Sequence, residues 1–108
     1  MIIVIVGPTG VGKTKLSIEL AKKYDGEIIN FDSVQIYKEL NIGSAKITPQ
    51  EMENIPHHLI DFVDINEPYT VYDYQTQARR EISQLEKKGK TIIMVGGTGL
   101  YAKSVLYD

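Results

Sequence analysis

The chain opens on an unbroken apolar run, Ile2-Ile3-Val4-Ile5-Val6. Its β-branched residues and lack of alternation predict a strand buried on both faces. From Lys13 to Tyr24 the pattern changes: Leu16, Leu20 and Tyr24 recur every fourth residue, which stacks them on one face of a helix. Asp25-Gly26 stops that helix, with Gly26 expected to take the left-handed conformation. Glu27-Ile28-Ile29-Asn30-Phe31 predicts a second strand that delivers Asp32 at its carboxyl end, and Ser33 to Thr48 reads as loop. Thr48-Pro49-Gln50-Glu51 carries a helix start: Thr as cap, Pro at the first helical position, Glu three residues after the cap. His58 to Val63 predicts a short third strand. Thr70 then caps a long helix to about Lys88 that buries Tyr74, Ala78, Ile82 and Leu85, and Gly89 closes it. Thr91 to Val95 is another strand of the buried type, followed by Gly96-Gly97-Thr98-Gly99. Strands alternating with helices predict an α/β fold, a parallel sheet of about four strands with flanking helices. No repeat or internal linker divides the chain, so residues 1–108 read as a single domain.

Composition narrows the function more than the fold. With 43% hydrophobic and 24% charged residues the chain is ordinary for a soluble globular protein. It has no cysteine, which excludes disulfides and thiolate metal sites, and the adjacent His57 and His58 are too few for a zinc site. The opening apolar run is too short for a membrane span and lacks the basic flank of a signal peptide, so the chain reads as cytoplasmic with no membrane partner. A formal net charge of −2 gives no sign of a nucleic-acid partner. The basic pairs Lys22-Lys23, Arg79-Arg80 and Lys87-Lys88 read as solvated helix faces.

The chemistry begins between the first strand and the first helix. Gly7-Pro8-Thr9-Gly10-Val11-Gly12-Lys13-Thr14 is a Walker A phosphate loop in the context that makes one work. Its glycines let successive amide hydrogens converge on phosphate oxygens at a helix amino end, where the peptide dipoles sum to a partial positive charge. Lys13 adds a full charge, and the Thr14 hydroxyl suits a magnesium ion held against the phosphates. The ligand is therefore a diphosphate or triphosphate, and the fold is phosphate-loop NTPase-like.

Ligands of open parallel sheets sit at the carboxyl ends of strands. Asp32 follows one strand and Gly96-Gly97-Thr98 another, so both are expected to face the phosphate loop across one crevice. A carboxylate there can accept a proton, orient a hydroxyl or hold magnesium through water, while its bland alternative is a turn cap. Phosphate-loop NTPases usually end a neighbouring strand on an Asp that helps hold magnesium. This chain has glycines and Thr98 instead, which makes it a poor NTPase and lets Thr98 offer a hydroxyl to the phosphates. Gly96 and Gly97 also fit a plain strand-to-helix turn.

The phosphate loop, Asp32-Ser33-Val34-Gln35-Ile36-Tyr37, Gly43-Ser44-Ala45-Lys46, Pro56-His57-His58-Leu59-Ile60-Asp61 and Val95-Gly96-Gly97-Thr98-Gly99-Leu100-Tyr101, in this order, resemble the tRNA dimethylallyltransferases over essentially the whole chain. The resemblance implies transfer of a dimethylallyl group from dimethylallyl diphosphate to the exocyclic amine of the adenosine just 3′ of a tRNA anticodon, while the expected Mg2+ cofactor follows from Thr14 of the phosphate loop. It implies that the phosphate loop cradles a diphosphate leaving group rather than ATP, so that stabilising departing charge is the main task of Lys13 and its neighbours. Asp32 takes the proton of the attacking amine. Ser33, Val34 and Gln35 lie along the target nucleotide, and Thr98 sits near both diphosphate and adenosine. Ile47 stands where family members often have proline, in a loop expected to be remote from the site. The family continues into a helical domain that grips tRNA, so the resemblance also implies a chain truncated relative to the family. Three alternatives stay open: a small-molecule phosphate-loop kinase, an isopentenyltransferase acting on free adenine nucleotides, and a non-catalytic nucleotide- or diphosphate-binding fragment.

Overall fold

A computed structural model describes residues 1–7, 11–37, 47–64 and 66–97. Pro8, Thr9, Gly10 and Thr98 of the expected site, together with the Gly43 to Lys46 segment, lie outside the described residues, as do the side chains of Val11, Ser33 and Val34. Four parallel strands form one sheet: β1 (Ile2–Val6), β2 (Gly26–Asn30), β3 (His57–His58) and β4 (Thr91–Gly96). Their spatial order is β1-β4-β2-β3, so the last strand in sequence lies inside the sheet, between the first two. Ile2 pairs with Ile92 and Gly26 with Thr91, which brings the carboxyl ends of β1, β2 and β4 to one edge. Parallel neighbours need crossovers, and two helices provide the long ones: α1 (Val11–Lys23) and α4 (Val71–Lys87). Two single-turn helices, α2 (Ser33–Ile36) and α3 (Pro49–Met52), punctuate the segment between β2 and β3.

Strand alternation divides the core between the faces of the sheet. Ile28 and Ile93 meet Ile18 and Ala21 of α1. Ile29, Ile92 and Met94 meet Tyr74, Ala78, Ile82 and Leu85 of α4, joined by Phe31, Ile36 and Val63. The four residues expected on the buried face of α4 are the four found there. Both expected caps are present as full capping boxes, Thr48 with Glu51 and Thr70 with Asp73.

Four expectations are corrected. The buried face of α1 is Ser17, Ile18 and Ala21; Leu16 and Tyr24 are exposed and Leu20 half-buried. Small residues bring this helix close to the sheet, and a reading that counts only large apolar residues passes over them. β1 is not buried on both faces: Ile3 and Ile5 pack towards α1, whereas Ile2, Val4 and Val6 are exposed because α4 lies over the inner strands. The left-handed residue after α1 is Asp25 (φ 51), not Gly26. Gly26 opens β2, and glycine stands there because a β-carbon would lie 2.8 Å from the Thr91 carbonyl oxygen. The third strand is two residues long, because Leu59 (φ 65) and Asp61 (φ 54) turn left-handed and break it, leaving Val63 to bridge Tyr37 alone. The His58 ring lies between Glu27 on β2 (Nε2 to Oε1, 2.7 Å) and Glu81 on α4 (Nδ1 to Oε2, 3.3 Å), tying β3 to both.

Candidate functional site

β1 and β4 run side by side to their carboxyl ends, and the Gly7 N–H donates to the Gly96 carbonyl at 3.3 Å. That bond sets the start of the phosphate loop against the end of β4. Lys13, half-buried in the first turn of α1, donates from Nζ to the Gly7 carbonyl at 3.0 Å. The ammonium thus sits beside the residue that follows β1. Thr14 is half-buried one residue on, and its carbonyl accepts from Ser17 Oγ at 2.7 Å.

Asp32 arrives from β2. The Phe31 N–H donates to the Val95 carbonyl at 2.9 Å, so β2 remains paired to β4 up to the residue before the acid. A β-carbon built on Gly97 would stand 3.5 Å from Asp32 Oδ2 and 3.9 Å from the Gly7 carbonyl oxygen. The carboxylate, the start of the phosphate loop and the second glycine turn therefore share one crevice, as expected from the strand ends alone. Asp32 also serves the chain locally, since its carbonyl accepts the Gln35 N–H at 3.1 Å and so closes the turn of α2.

The glycine that ends β4 and the one that follows it differ in kind. A β-carbon on Gly96 would lie 2.2 Å from the Phe31 ring, so packing alone demands glycine there. On Gly97 the same atom would make only ordinary contacts, so the fold leaves that position free to serve the crevice. Among the described residues, Gly7 and Gly12 have nothing within 4 Å of a built β-carbon.

Gln35 comes close to the acid through α2, and its Oε1 accepts the Ile47 N–H at 3.2 Å. This corrects the expectation that the loop holding Ile47 is remote. A proline at 47 has no N–H to give, so the isoleucine supplies a tether for Gln35 that proline could not. The Pro56 to Asp61 segment is structural in the main. The Pro56 carbonyl accepts the Ile28 N–H at 3.0 Å, and the Asp61 N–H donates to the Gln35 carbonyl at 2.8 Å. His57 donates from Nδ1 to the Ile55 carbonyl at 2.7 Å and leaves Nε2 buried without a partner among the described residues. Burial pushes its pKa below the ordinary value, the Ile55 bond opposes this, and His58 adds to the lowering.

Reasoning from sequence missed Asn30. Its amide takes both backbone groups of Asp32, Oδ1 accepting the N–H at 2.9 Å and Nδ2 donating to the carbonyl at 2.9 Å. The signal was present, since an Asn two residues before a candidate acid has the spacing of an Asx turn.

A family model described as IPP transferase matches residues 35–108. The tRNA dimethylallyltransferase of Exiguobacterium sibiricum is 61% identical over 107 residues, 99% of this chain and 34% of that protein. Among solved structures, a tRNA isopentenylpyrophosphate transferase from Staphylococcus epidermidis superposes with a TM-score of 0.92 at 50% identity, over 99% of this chain and 35% of that one. A eukaryotic dimethylallyltransferase described as acting on tRNA superposes with a TM-score of 0.88 at 46% identity, over 95% of this chain and 26% of that one. The chain spans about a third of the length of the curated relatives it matches.

Proposed function

Because the chain belongs to the IPP transferase family, we propose that it carries the diphosphate cradle and the proton acceptor of an enzyme that prenylates tRNA. In this reading the donor is dimethylallyl diphosphate and the acceptor the exocyclic amine of the adenosine 3′ of the anticodon. The amine nitrogen attacks the allylic carbon, the carbon–oxygen bond to diphosphate breaks, and the electron pair leaves with the diphosphate. The proton lost by the amine goes to the Asp32 carboxylate. Lys13 and the amide groups at the amino end of α1 stabilise the charge that builds on the departing diphosphate. Ser33, Val34, Gln35 and Thr98 line the acceptor nucleotide.

One observation carries this reading: Asp32 Oδ2 and the Gly7 carbonyl approach the same point in the crevice, at 3.5 and 3.9 Å from the position of a Gly97 β-carbon. A base must stand within reach of the reacting amine while the leaving group occupies the loop, and the nearness of this acid to the start of the loop supports the reading. The glycine turn that ends β4 carries no acid where phosphate-loop NTPases place one to help hold magnesium, and so speaks against an NTPase. Among the described residues no group of three or more His, Cys, Asp or Glu could hold a metal ion. A magnesium ion would accordingly be held by the Thr14 hydroxyl and the phosphate oxygens of the substrate itself. When bound it supplies further neutralisation of the leaving group. No helix among the described residues is long and apolar enough to cross a membrane.

The test begins with calorimetry on the chain, using dimethylallyl diphosphate and ATP with and without magnesium. Binding of the prenyl diphosphate in preference to ATP is expected, and the reverse preference would point to a kinase. Activity is then measured in a chimera in which this chain replaces the matched segment of the Exiguobacterium sibiricum relative. There Asp32→Asn is expected to lower the rate by about 10²–10⁴-fold with little change in affinity for either substrate. A loss under about tenfold would make Asp32 an orienting group and not the base.

A further inference from the structure

Asn30 is the last residue of β2 and is 4% exposed. Its amide makes three hydrogen bonds, and all lead to backbone. Oδ1 accepts the Asp32 N–H at 2.9 Å, while Nδ2 donates to the Asp32 carbonyl at 2.9 Å and to the Leu59 carbonyl at 3.0 Å. Both amide hydrogens are thereby used, and the orientation is unique: turned over, the NH2 would face an N–H and the oxygen would face two carbonyls. A carboxylate of the same shape meets the same repulsion from the two carbonyls.

The third anchor depends on a local distortion. Leu59 holds a left-handed φ of 65, where the chain leaves β3, and its carbonyl is the one that meets the amide. From the other face of the sheet Tyr74, fully buried on α4, donates its hydroxyl to the Asn30 carbonyl at 2.8 Å. Asn30 is thus held by α4 and by the loop after β3, and it in turn ties the chain on both sides of the Asp32 α-carbon. The carboxylate hangs from a fixed backbone.

We infer that Asn30 is a positioning residue for Asp32: its amide, backed by Tyr74 and Leu59, holds the carboxylate at the distance from the phosphate loop that proton transfer needs. The inference rests on the reading of Asp32 as proton acceptor. Catalytic groups tolerate little displacement, and a shift of about 1 Å can cost about 10²-fold in rate. Purely structural work by Asn30 would show as lost stability. Positioning shows as a lower kcat that vanishes when the group being positioned is gone.

The experiment is a double-mutant cycle on kcat in the chimera described above. Asn30→Ala is expected to lower kcat by about tenfold to a hundredfold, with KM for dimethylallyl diphosphate little changed because the phosphate contacts belong to α1 and its loop. In the Asp32→Asn background the same substitution should change kcat by less than about twofold. Asn30→Asp keeps the size and the acceptor oxygen but lacks both N–H donors, so it is expected to lose kcat as well, and it replaces Asn30→Ala if that variant does not fold. Full kcat in the Asn30 variants beside a disabled Asp32→Asn overturns the inference and spares the role of Asp32. Losses that multiply in the double variant overturn it too, since Asn30 would then act independently. Full kcat in Asp32→Asn overturns the underlying reading instead.

Discussion

Replacing Gly96 by alanine puts a methyl group where the structure has a phenyl ring. The new carbon would stand 2.2, 2.5 and 2.7 Å from three carbons of Phe31. Unstrained carbon contacts lie at about 3.5–4.0 Å, so the ring must retreat by more than about 1 Å. It has nowhere to go: Phe31 is 1% exposed and sits in the same cluster as Ile29, Ile36, Val63 and Tyr74. Nor can β4 yield, since Gly96 accepts from Gly7 and the adjacent Val95 carbonyl accepts from Phe31 itself. Overpacking a tight core costs about 1–3 kcal/mol, and this contact belongs at the upper end. For a domain of this size a loss of about 3 kcal/mol lowers Tm by on the order of 12–20 °C. Thermal and urea unfolding of Gly96→Ala measure the effect, with Gly97→Ala as control, whose new methyl meets Asp32 Oδ2 at an ordinary 3.5 Å. Gly97→Ala should keep its Tm and lose prenyl transfer in the chimera, and Phe31→Leu should restore part of the stability lost in Gly96→Ala. A Tm for Gly96→Ala within about 3 °C of the parent would refute the packing argument.

Three further outcomes are expected. Lys13→Ala should fold normally and bind dimethylallyl diphosphate on the order of ten- to a hundredfold more weakly, the loss of about 1.5–3 kcal/mol that a charge-assisted contact represents; unchanged calorimetric affinity would remove the loop from the mechanism. The chain by itself, with net charge −2, should bind an unmodified tRNA weakly, with a shallow salt dependence and no preference for the base 3′ of the anticodon, and tight, base-dependent gel shifts would contradict this. His57 has a folded pKa below its ordinary value of 6.5, so the unfolded chain binds more protons as the pH falls. Stability should be complete above about pH 6.5 and fall as pH drops from there towards the lowered folded pKa, and His57→Gln should flatten that fall in urea titrations at pH 7 and 5.

The parts of the fold that could be read from sequence are those where one physical signal acts alone. α4 lies across the sheet, so its apolar stripe has a single partner, and Tyr74, Ala78, Ile82 and Leu85 follow the helical period. α1 is set by another requirement, close approach to the sheet beside the phosphate loop, which Ser17 and Ala21 meet by being small. Small residues carry little hydrophobic signal, so the eye follows Leu16 and Tyr24 to the wrong face. An apolar run such as Ile2 to Val6 states that a strand forms but not whether a helix covers both its faces, because that depends on where α4 comes to lie. The site divides in the same way. The places of Lys13 and Asp32 were legible because they depend on position along the chain, one in a loop motif and the other at a strand end. Asn30 was not, because its worth lies in three backbone groups, one of them brought near by the left-handed Leu59.

The order of the strands also sets a timetable. β1 pairs only with β4 among the described strands, and Ile2 meets Ile92, a residue made 90 positions later. At about 5–20 residues per second a ribosome needs roughly 5–18 seconds to cover that distance. During that interval the strand leading into the phosphate loop has no neighbour, and β2, already synthesised, cannot serve because β4 must come between them. The Gly7 bond to Gly96 cannot form before the end of β4 is made. The nascent chain therefore has a wall on either side well before it has the strand that joins them, and the start of the phosphate loop has no β4 carbonyl to bond until that strand has left the exit tunnel.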